Sequence, residues 1–193
     1  YVIQQGERLV DPRLNPRLIN NPDLAPYLSQ ILNRSEFRRY DCGGNTHYDI
    51  APHQAPAPAD CQLVDALGAG PSLLPELTAV EEGFLDFANG EVVRDALGSR
   101  YPNARTAVGI TSDGSVVWVM VAQKPEAPTQ SGMSLADLID FMKTLGVEKA
   151  MNLDGGSSSS LYYENQTWYG RVDAAGKPIQ RPIKSVLLVK EKQ

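Results

Sequence analysis

The stretch Lys149-Ala150-Met151-Asn152-Leu153-Asp154-Gly155-Gly156-Ser157-Ser158 indicates how this chain folds. Residues 149 to 153 predict a buried strand that ends at Asp154. The two glycines remove side-chain bulk, so a ligand could approach main-chain N–H groups, while the serine hydroxyls add donors and Asp154 adds an acid or base. Ligands of α/β proteins usually bind at the carboxyl edge of the sheet. The stretch predicts a polar binding site, and an ordinary turn between strands is the competing interpretation.

The residues before this stretch predict one helix and one β-hairpin. Ser134 can cap a helix over residues 135–145, whose apolar side chains fall on one face and which Gly146 ends. Two β-rich runs, 105–111 and 116–122, flank Asp113-Gly114, a favourable hairpin turn. Further strands are expected at 161–163 and 183–189. The prediction is a mixed α/β (α+β) fold, one domain over residues 1–193 with a mixed β-sheet packed by helices.

The first third of the chain is rich in turn-forming residues. Proline-containing turns in residues 1–33 predict loops around one short helix near 24–32. Residues 41–60 are rich in Gly and Pro and predict an ordered loop, flanked by Cys42 and Cys61. A disulfide between these cysteines would stabilise such a loop by about 3 kcal/mol and favours oxidising surroundings. Two free buried thiols are the alternative.

Composition and charge exclude several classes of partner. The chain has 193 residues, 42% of them hydrophobic, and a formal net charge of -5. Arg34, Arg38 and Arg39 form a short local cluster and not a face that could follow a nucleic-acid backbone. No apolar run approaches the roughly 20 residues that span a bilayer.

Tyr1 is not an initiator methionine, so we expect the chain to have been separated from an upstream part, where a signal peptide would have been.

Residues 151–158 resemble the signature of the phosphodiester glycosidase family. The similarity extends to Gly132-Met133-Ser134-Leu135-Ala136-Asp137-Leu138, to Ala104-Arg105-Thr106-Ala107-Val108-Gly109-Ile110, to Ala69-Gly70-Pro71 and to Arg181-Pro182-Ile183. It is strongest over residues 66–189. Family members usually carry an Asn-Gly-Gly-Phe-Phe-like segment upstream, which here is missing or is supplied by a separate chain. A proline commonly precedes the arginine, where this chain has Ala104.

The resemblance implies hydrolysis of a sugar from a sugar-1-phosphodiester. We expect no cofactor, and we expect an extracytoplasmic compartment, which the two cysteines favour. Arg105 and Asp154 are then the catalytic candidates. Arg105 would offer a planar fork to two phosphate oxygens. Asp154 would stabilise the positively charged transition state of the sugar or activate water. The residues expected to bind the substrate are Gly70, Thr106, Asn152, Gly155, Gly156, Ser157 and Ser158.

Other titratable residues give weaker signals. Glu36 could be the second carboxylate of a glycosidase pair, but a solvated helix end with ion pairs is the favoured interpretation. His47, Asp49 and His53 have a spacing that could touch a metal, yet a proline-rich loop offers no rigid support and no metal is predicted. A Ser-His-Asp hydrolase is disfavoured because no Gly-x-Ser-x-Gly turn is present.

Aromatic residues leave a second functional class open. Tyr162, Tyr163, Trp118 and Trp168 could stack on a sugar, but aromatic side chains in strands more often belong to the core. The competing hypothesis to a hydrolase is a non-catalytic glycan-binding or cell-wall-binding module on the same fold. A purely structural secreted domain would leave the polar glycine and serine turn without an explanation.

Overall fold

Two antiparallel β-sheets and one helix are stacked in three layers. The structure is a computed structural model that describes residues 1–183 and 185–189. About 39% of the residues are in strands and 14% in helices, which confirms the predicted mixed class and the single domain. All the strand pairings between the described residues are antiparallel.

The first sheet is formed by the amino-terminal third of the chain. Its strands are β1 (Val2–Gln4), β2 (Glu7–Val10), β3 (Ser35–Cys42), β4 (Asn45–Pro52) and β5 (Gln62–Gly68), in the order β2-β1-β5-β3-β4. Between β2 and β3 the chain forms short helical turns, namely 3-10 turns at Pro12–Leu14 and Ala25–Tyr27 and α-helical turns α1 (Pro16–Ile19) and α2 (Leu28–Ile31). These turns cover one end of the sheet.

The second sheet comes from residues 72–152, in the middle and second half of the chain. Its members are β6 (Ser72–Leu74), β9 (Arg105–Thr111), β10 (Val116–Val121) and β11 (Val147–Asn152), in the order β10-β9-β11-β6. Two separate hairpins are formed by β7 (Leu85–Ala88) with β8 (Glu91–Asp95), and by β12 (Ser160–Tyr163) with β13 (Gln166–Tyr169). The long helix is α3 (Leu135–Thr144), and a 3-10 turn lies at Gly156–Ser158.

The second sheet is buried on both faces because the side chains of β9 and β11 alternate between two cores. Val108, Ile110 and Met151 face the first sheet and pack with its Phe37 and Ile50. On the other face, the apolar side of α3 packs against β6, β9, β10 and β11 through Leu73, Leu74, Ala107, Val119, Leu135, Leu138, Met142, Val147 and Ala150. Successive residues of these strands therefore point into different layers.

Helix α3 and its sheet fit together closely at Gly109. A Cβ atom there would lie 2.5 Å from the Val147 side chain and 2.7 Å from that of Met142. The helix begins with a capping box, in which Ser134 and Asp137 each satisfy the other's main-chain N–H. The predicted helix 135–145 and the hairpin of 105–111 with 116–122 are confirmed, and the strand predicted at 149–153 is confirmed as β11, which ends at Asn152.

Three expectations about the rest of the chain were wrong or incomplete. The segment 41–60 is not one loop, because β4 occupies residues 45–52 and pairs with β3 along its whole length. Residues 1–33 contain the β1–β2 hairpin in addition to short helical turns. The described residues of 183–189 form no strand, and Lys184 lies outside the described residues. The strand expected at 161–163 is confirmed as β12.

The predicted disulfide between Cys42 and Cys61 is confirmed. Its two Cα atoms are 4.2 Å apart, and it joins the end of β3 to the chain entering β5, beside the paired residues Asp41 and Gln62. The bond closes the segment that contains β4, which is a sheet edge with mostly exposed residues at its first positions. It therefore limits the unfolded chain where little apolar surface is buried.

Replacing both cysteines by serine should lower the free energy of unfolding by about 3 kcal/mol, because a closed loop of 19 residues loses its constraint. Urea unfolding of wild type and of the Cys42→Ser, Cys61→Ser double variant measures the difference. Alkylation of the unreduced wild-type protein is the control. Two reactive thiols in native protein, or equal stabilities, would contradict the prediction.

Candidate functional site

The polar loop, residues 153–159, is held in place by main-chain hydrogen bonds on two sides. Asn152, the last residue of β11, donates its N–H to the oxygen of Pro71 at 2.9 Å and accepts from the N–H of Gly70 at 3.0 Å. On the other side, Leu153 N–H donates to the oxygen of Thr106, and Gly156 N–H to that of Ala104, both at 2.8 Å. The loop is therefore clamped between the 70–71 segment and the start of β9.

The strand directions show at which edge of the second sheet the polar loop lies. β11 lies between β9 and β6, and both run antiparallel to it. The edge that follows Asn152 is therefore the amino end of its two neighbours, and not the shared carboxyl edge that a parallel sheet would give. The expectation of a carboxyl-edge site was wrong for this reason, although the polar loop does follow a buried strand.

The two loop glycines are needed for the path of the backbone. Gly156 has a φ of +59°, a left-handed conformation that other residues rarely adopt. A Cβ atom on Gly155 would lie 3.0 Å from the oxygen of Ala104. Because Gly156 N–H is already bonded to Ala104, it is not free for a ligand. The N–H groups of Asp154 and Gly155 donate to none of the described residues.

Asn152 carries an unpaired polar atom. Its side chain is 2% exposed, and its Nδ2 donates to the oxygens of Leu153 at 2.8 Å and Gly70 at 3.3 Å. Its Oδ1 is the one buried side-chain N or O atom among the described residues that has no hydrogen-bond partner. Leaving such an acceptor unpaired costs about 1–3 kcal/mol. A ligand that donates a hydrogen bond would remove this cost.

Asp154 is exposed at the tip of the strand, and its carboxylate makes no hydrogen bond or ion pair with the described residues. Ser157 Oγ lies 3.4 Å from Nη1 of Arg181, which donates to it. A second guanidinium is close, since Nη1 of Arg171 would be 3.7 Å from a Cβ atom on Gly156. Sequence reasoning placed Arg181 in a motif without giving it a role in the site, and it missed Arg171.

Two of the predicted binding residues support the loop, Thr106 from strand β9 and Gly70 from the connection between β5 and β6. Thr106 donates through Oγ1 to Ser159 Oγ at 3.0 Å, below the loop. Gly70 contacts Asn152 through both its N–H and its oxygen. The structure thus brings together Gly70, Thr106, Asn152, Asp154, Gly155, Gly156, Ser157 and Ser158.

Arg105 faces away from this group, into the layer of helix α3. The side chain is 3% exposed, and four of its five N–H bonds are donated to main-chain oxygens at 2.8–3.0 Å, those of Leu97, Gly98, Tyr101 and Met133. Burial lowers the pKa of its guanidinium, while the charge of Asp95 acts to raise it. The N–H groups expected to bind phosphate are therefore already bonded to main-chain oxygens. Arg105 points this way because neighbouring residues on a strand point to opposite faces, and Thr106 lies on the loop side.

Glu36 lies neither in the polar loop nor at a solvated helix end. It is on β3 and 1% exposed, with Oε2 accepting from Arg38 Nε at 2.9 Å and Oε1 2.6 Å from His53 Nδ1. Arg38, itself 3% exposed, donates its other N–H groups to Tyr40 and to main-chain oxygens. The interpretation as a solvated helix end was wrong. Glu36 belongs to a buried ion pair in the first sheet.

The remaining candidates are spread over other strands. His47 and Asp49 lie on β4, and Asp49 pairs with Lys149. The described residues contain no group of three side chains arranged as metal ligands. The favoured interpretation of the aromatic residues as core residues is wrong for the β12–β13 hairpin. Its Tyr162, Tyr163 and Trp168 are 50–68% exposed. Trp118 on β10 is 37% exposed.

The fold and the loop together define the class of protein, an α+β domain whose polar loop is clamped after a buried strand. Residues 15–190 match the model of the family described as phosphodiester glycosidase. The chain belongs to the phosphodiester glycosidase family. No curated protein sequence matches it significantly. Within the described residues, no helix is both long and apolar enough to cross a membrane.

Several solved structures are similar to this chain, among them the following three. One, from Burkholderia pseudomallei K96243, bears the description of an exported protein, with 26% identity and a TM-score of 0.47, covering 70% of this chain and 28% of that one. The zebrafish N-acetylglucosamine-1-phosphodiester alpha-N-acetylglucosaminidase catalytic domain, auto-inhibited by its pro-peptide, has 20% identity and a TM-score of 0.48, covering 78% and 45%. A hypothetical protein from Synechocystis has 20% sequence identity and a TM-score of 0.39, and the match covers 78% of this chain and 31% of that one. This chain spans less than half of each.

Replacing Arg105 by lysine should destabilise the fold by about 2–4 kcal/mol, because a single ammonium cannot replace four guanidinium bonds to separated oxygens. Urea unfolding measures this loss. Arg100→Lys, the same change at an exposed arginine nearby, is the control and should be neutral. An Arg105→Lys variant of full stability that has lost phosphate binding would show that Arg105 serves the ligand.

Proposed function

We propose that the chain is a hydrolase that releases a sugar from a sugar-1-phosphodiester, with the polar loop as its active site. The observation that supports this most is that the loop holds an exposed carboxylate, Asp154, two residues after Asn152, whose buried Oδ1 has no hydrogen-bond partner among the described residues. Buried polar atoms without partners are rare in proteins and call for an explanation. A sugar hydroxyl that reached Asn152 on substrate binding and donated to its Oδ1 would supply one, and the loop lies within the residues that match the family model.

The proposed reaction breaks the bond between the anomeric carbon and the phosphodiester oxygen. The bonding electrons leave with the phosphate, which departs as a monoester, and water adds its oxygen to the anomeric carbon and loses a proton. A phosphate is a good leaving group, so stabilising charge matters more than protonating it. Asp154 would stabilise the positive charge that develops on the sugar, or accept the proton of the attacking water.

Arg171 and Arg181, instead of Arg105, would bind the phosphate. Both are exposed, and no ion pair among the described residues involves either of them. Arg181 already contacts Ser157, and Arg171 also lines a cleft of about 340 Å³ beside the start of β9. A guanidinium without a carboxylate partner is free to bind phosphate oxygens with charge-assisted hydrogen bonds.

A non-catalytic glycan-binding module is the second candidate. It is favoured by the exposed aromatic side chains of the β12–β13 hairpin, which directly follows the polar loop. Exposed Tyr and Trp side chains offer flat apolar surfaces with a polar edge, which suit a sugar ring. Glu36, the weak candidate for a second carboxylate, is held in an ion pair with Arg38 on the first sheet, and we do not propose it as the partner of Asp154.

We also propose an extracytoplasmic location and a phosphodiester-linked glycan or cell-wall substrate. The disulfide between Cys42 and Cys61 supports the location, because such bonds persist mainly in oxidising compartments. We do not propose a separate chain that supplies the Asn-Gly-Gly-Phe-Phe-like segment.

Asp154→Asn should abolish turnover of a sugar-1-phosphodiester and leave substrate binding within about threefold. Asparagine keeps the shape and one acceptor oxygen but cannot carry the negative charge that stabilises the transition state. Single-turnover rates and binding affinity, measured on the same preparation, separate the two effects.

The matched control is Asp140→Asn, the same change at an exposed position of α3, which should keep full activity. Circular dichroism checks the fold of both variants. If Asp154→Asn keeps more than about a tenth of the wild-type rate, a loss below about 1.4 kcal/mol, Asp154 only shapes the turn. Tight binding of glycans without turnover in wild type would favour the binding module.

A further inference from the structure

A second cleft, with a volume of about 420 Å³, lies between the amino-terminal turns and the end of β5. Its wall includes Gly68 and Ala69, and the next residue, Gly70, is the one that hydrogen-bonds Asn152. Since consecutive Cα atoms are about 3.8 Å apart, this wall begins one residue from the support of the polar loop. The lining is otherwise apolar except for Tyr1, Asn15, Arg17 and Arg34.

Arginines gather around this cleft although the whole chain is acidic, with a net charge of -5. Arg17 and Arg34 line it, and the guanidinium carbons of Arg8 and Arg13 each lie 5.8 Å from the centre of the Tyr1 ring, which forms part of its wall. Arg8 and Arg13 share one acid, Asp11. Arg17 takes part in no ion pair among the described residues. The cleft is therefore locally positive.

Arg34 is held in place with part of its guanidinium unused. Its Nε donates to the main-chain oxygen of Glu82 at 3.0 Å, and its guanidinium carbon lies 3.6 Å from the centre of the Phe84 ring. Burial lowers the pKa of Arg34 to about 10, with Glu82 acting to raise it, so the group stays charged at neutral pH. Glu82 offsets part of this charge, but its oxygens already accept from Ser35, Ser72 and Thr78.

We propose that this cleft binds the phosphate of an organic phosphate ester, with Arg34 and Arg17 as its ligands. Arg34 is preorganised, because stacking and the Nε bond fix its plane, and its terminal N–H groups make no hydrogen bond to the described residues. Leu18, Leu24 and Ile31 provide an apolar wall for the ester group. This is the class of compound that the proposed reaction releases, but binding here needs no turnover.

The test is calorimetric titration of the wild-type protein with phenyl phosphate and with inorganic phosphate. Wild type should bind both, and phenyl phosphate more tightly because its ring contacts the apolar wall. Arg17→Glu, an exposed change that leaves the core intact, and Arg34→Lys, which keeps the charge but loses the fork, should each weaken binding at the cleft at least about tenfold. Phosphate binding at the polar loop by Arg171 and Arg181 should stay unchanged in both variants, so the titration is fitted with two sites. Arg100→Glu makes the same charge change outside the cleft and should have no effect.

Absence of binding, or equal binding by Arg17→Glu, Arg34→Lys and wild type, overturns the inference. So does an equal loss in Arg100→Glu, which would indicate only a response to net charge. If binding is lost in Arg181→Gln while the two cleft variants bind normally, the phosphate binds at the polar loop. That outcome overturns this inference and leaves the proposed hydrolase intact. Phosphate binding in the cleft without any turnover would support this inference and contradict the proposed hydrolase.

Discussion

The main-chain clamp on the polar loop is the constraint on which the site depends. Asn152 exchanges hydrogen bonds with Gly70 and Pro71, while Leu153 and Gly156 bond to Thr106 and Ala104. These bonds join segments that are far apart in sequence, so the loop keeps its shape only when the second sheet is assembled. A loop held in this way can present Asp154 to solvent without reorganising when a ligand arrives.

Arg105 extends this support into the third layer. By donating to carbonyl oxygens of the 97–101 segment and of Met133, it ties the chain before β9 to the start of helix α3. Arg38 has a similar part in the first sheet, where it pairs with Glu36. Both arginines are almost fully buried. The guanidinium groups that we propose as phosphate ligands instead line the two clefts and the polar loop.

The elements that sequence predicts well are those with a local signal. Helix α3 has a cap, an apolar face and a terminal glycine, and the β9–β10 hairpin has an Asp-Gly turn. Strand β4 has none of these, because its residues are largely polar and its order depends on pairing with β3 and on the disulfide. Pairing between distant segments leaves little trace in a short window of sequence.

The glycines and serines of the polar loop were enough to locate it in the sequence. The roles of the charged residues around the loop could not be assigned in the same way. The family resemblance singles out Arg105 but does not indicate which face of the strand its side chain occupies. Its burial follows from the alternation along β9, where Ala107 faces α3 and Val108 faces the first sheet. Arg171 and Arg181 approach the loop only through tertiary packing, so sequence spacing gave no reason to choose Arg171.

Hydrolysis in water enriched in oxygen-18 tests most directly whether the protein cleaves the glycosidic bond of a sugar-1-phosphodiester. Cleavage between the anomeric carbon and its oxygen leaves every phosphate oxygen in place, so mass spectrometry should find no label in the released phosphate monoester. The sugar gains the label, although slow exchange of its anomeric hydroxyl makes the phosphate the cleaner readout. One labelled oxygen in the phosphate would mean attack at phosphorus and would contradict the glycosidase account.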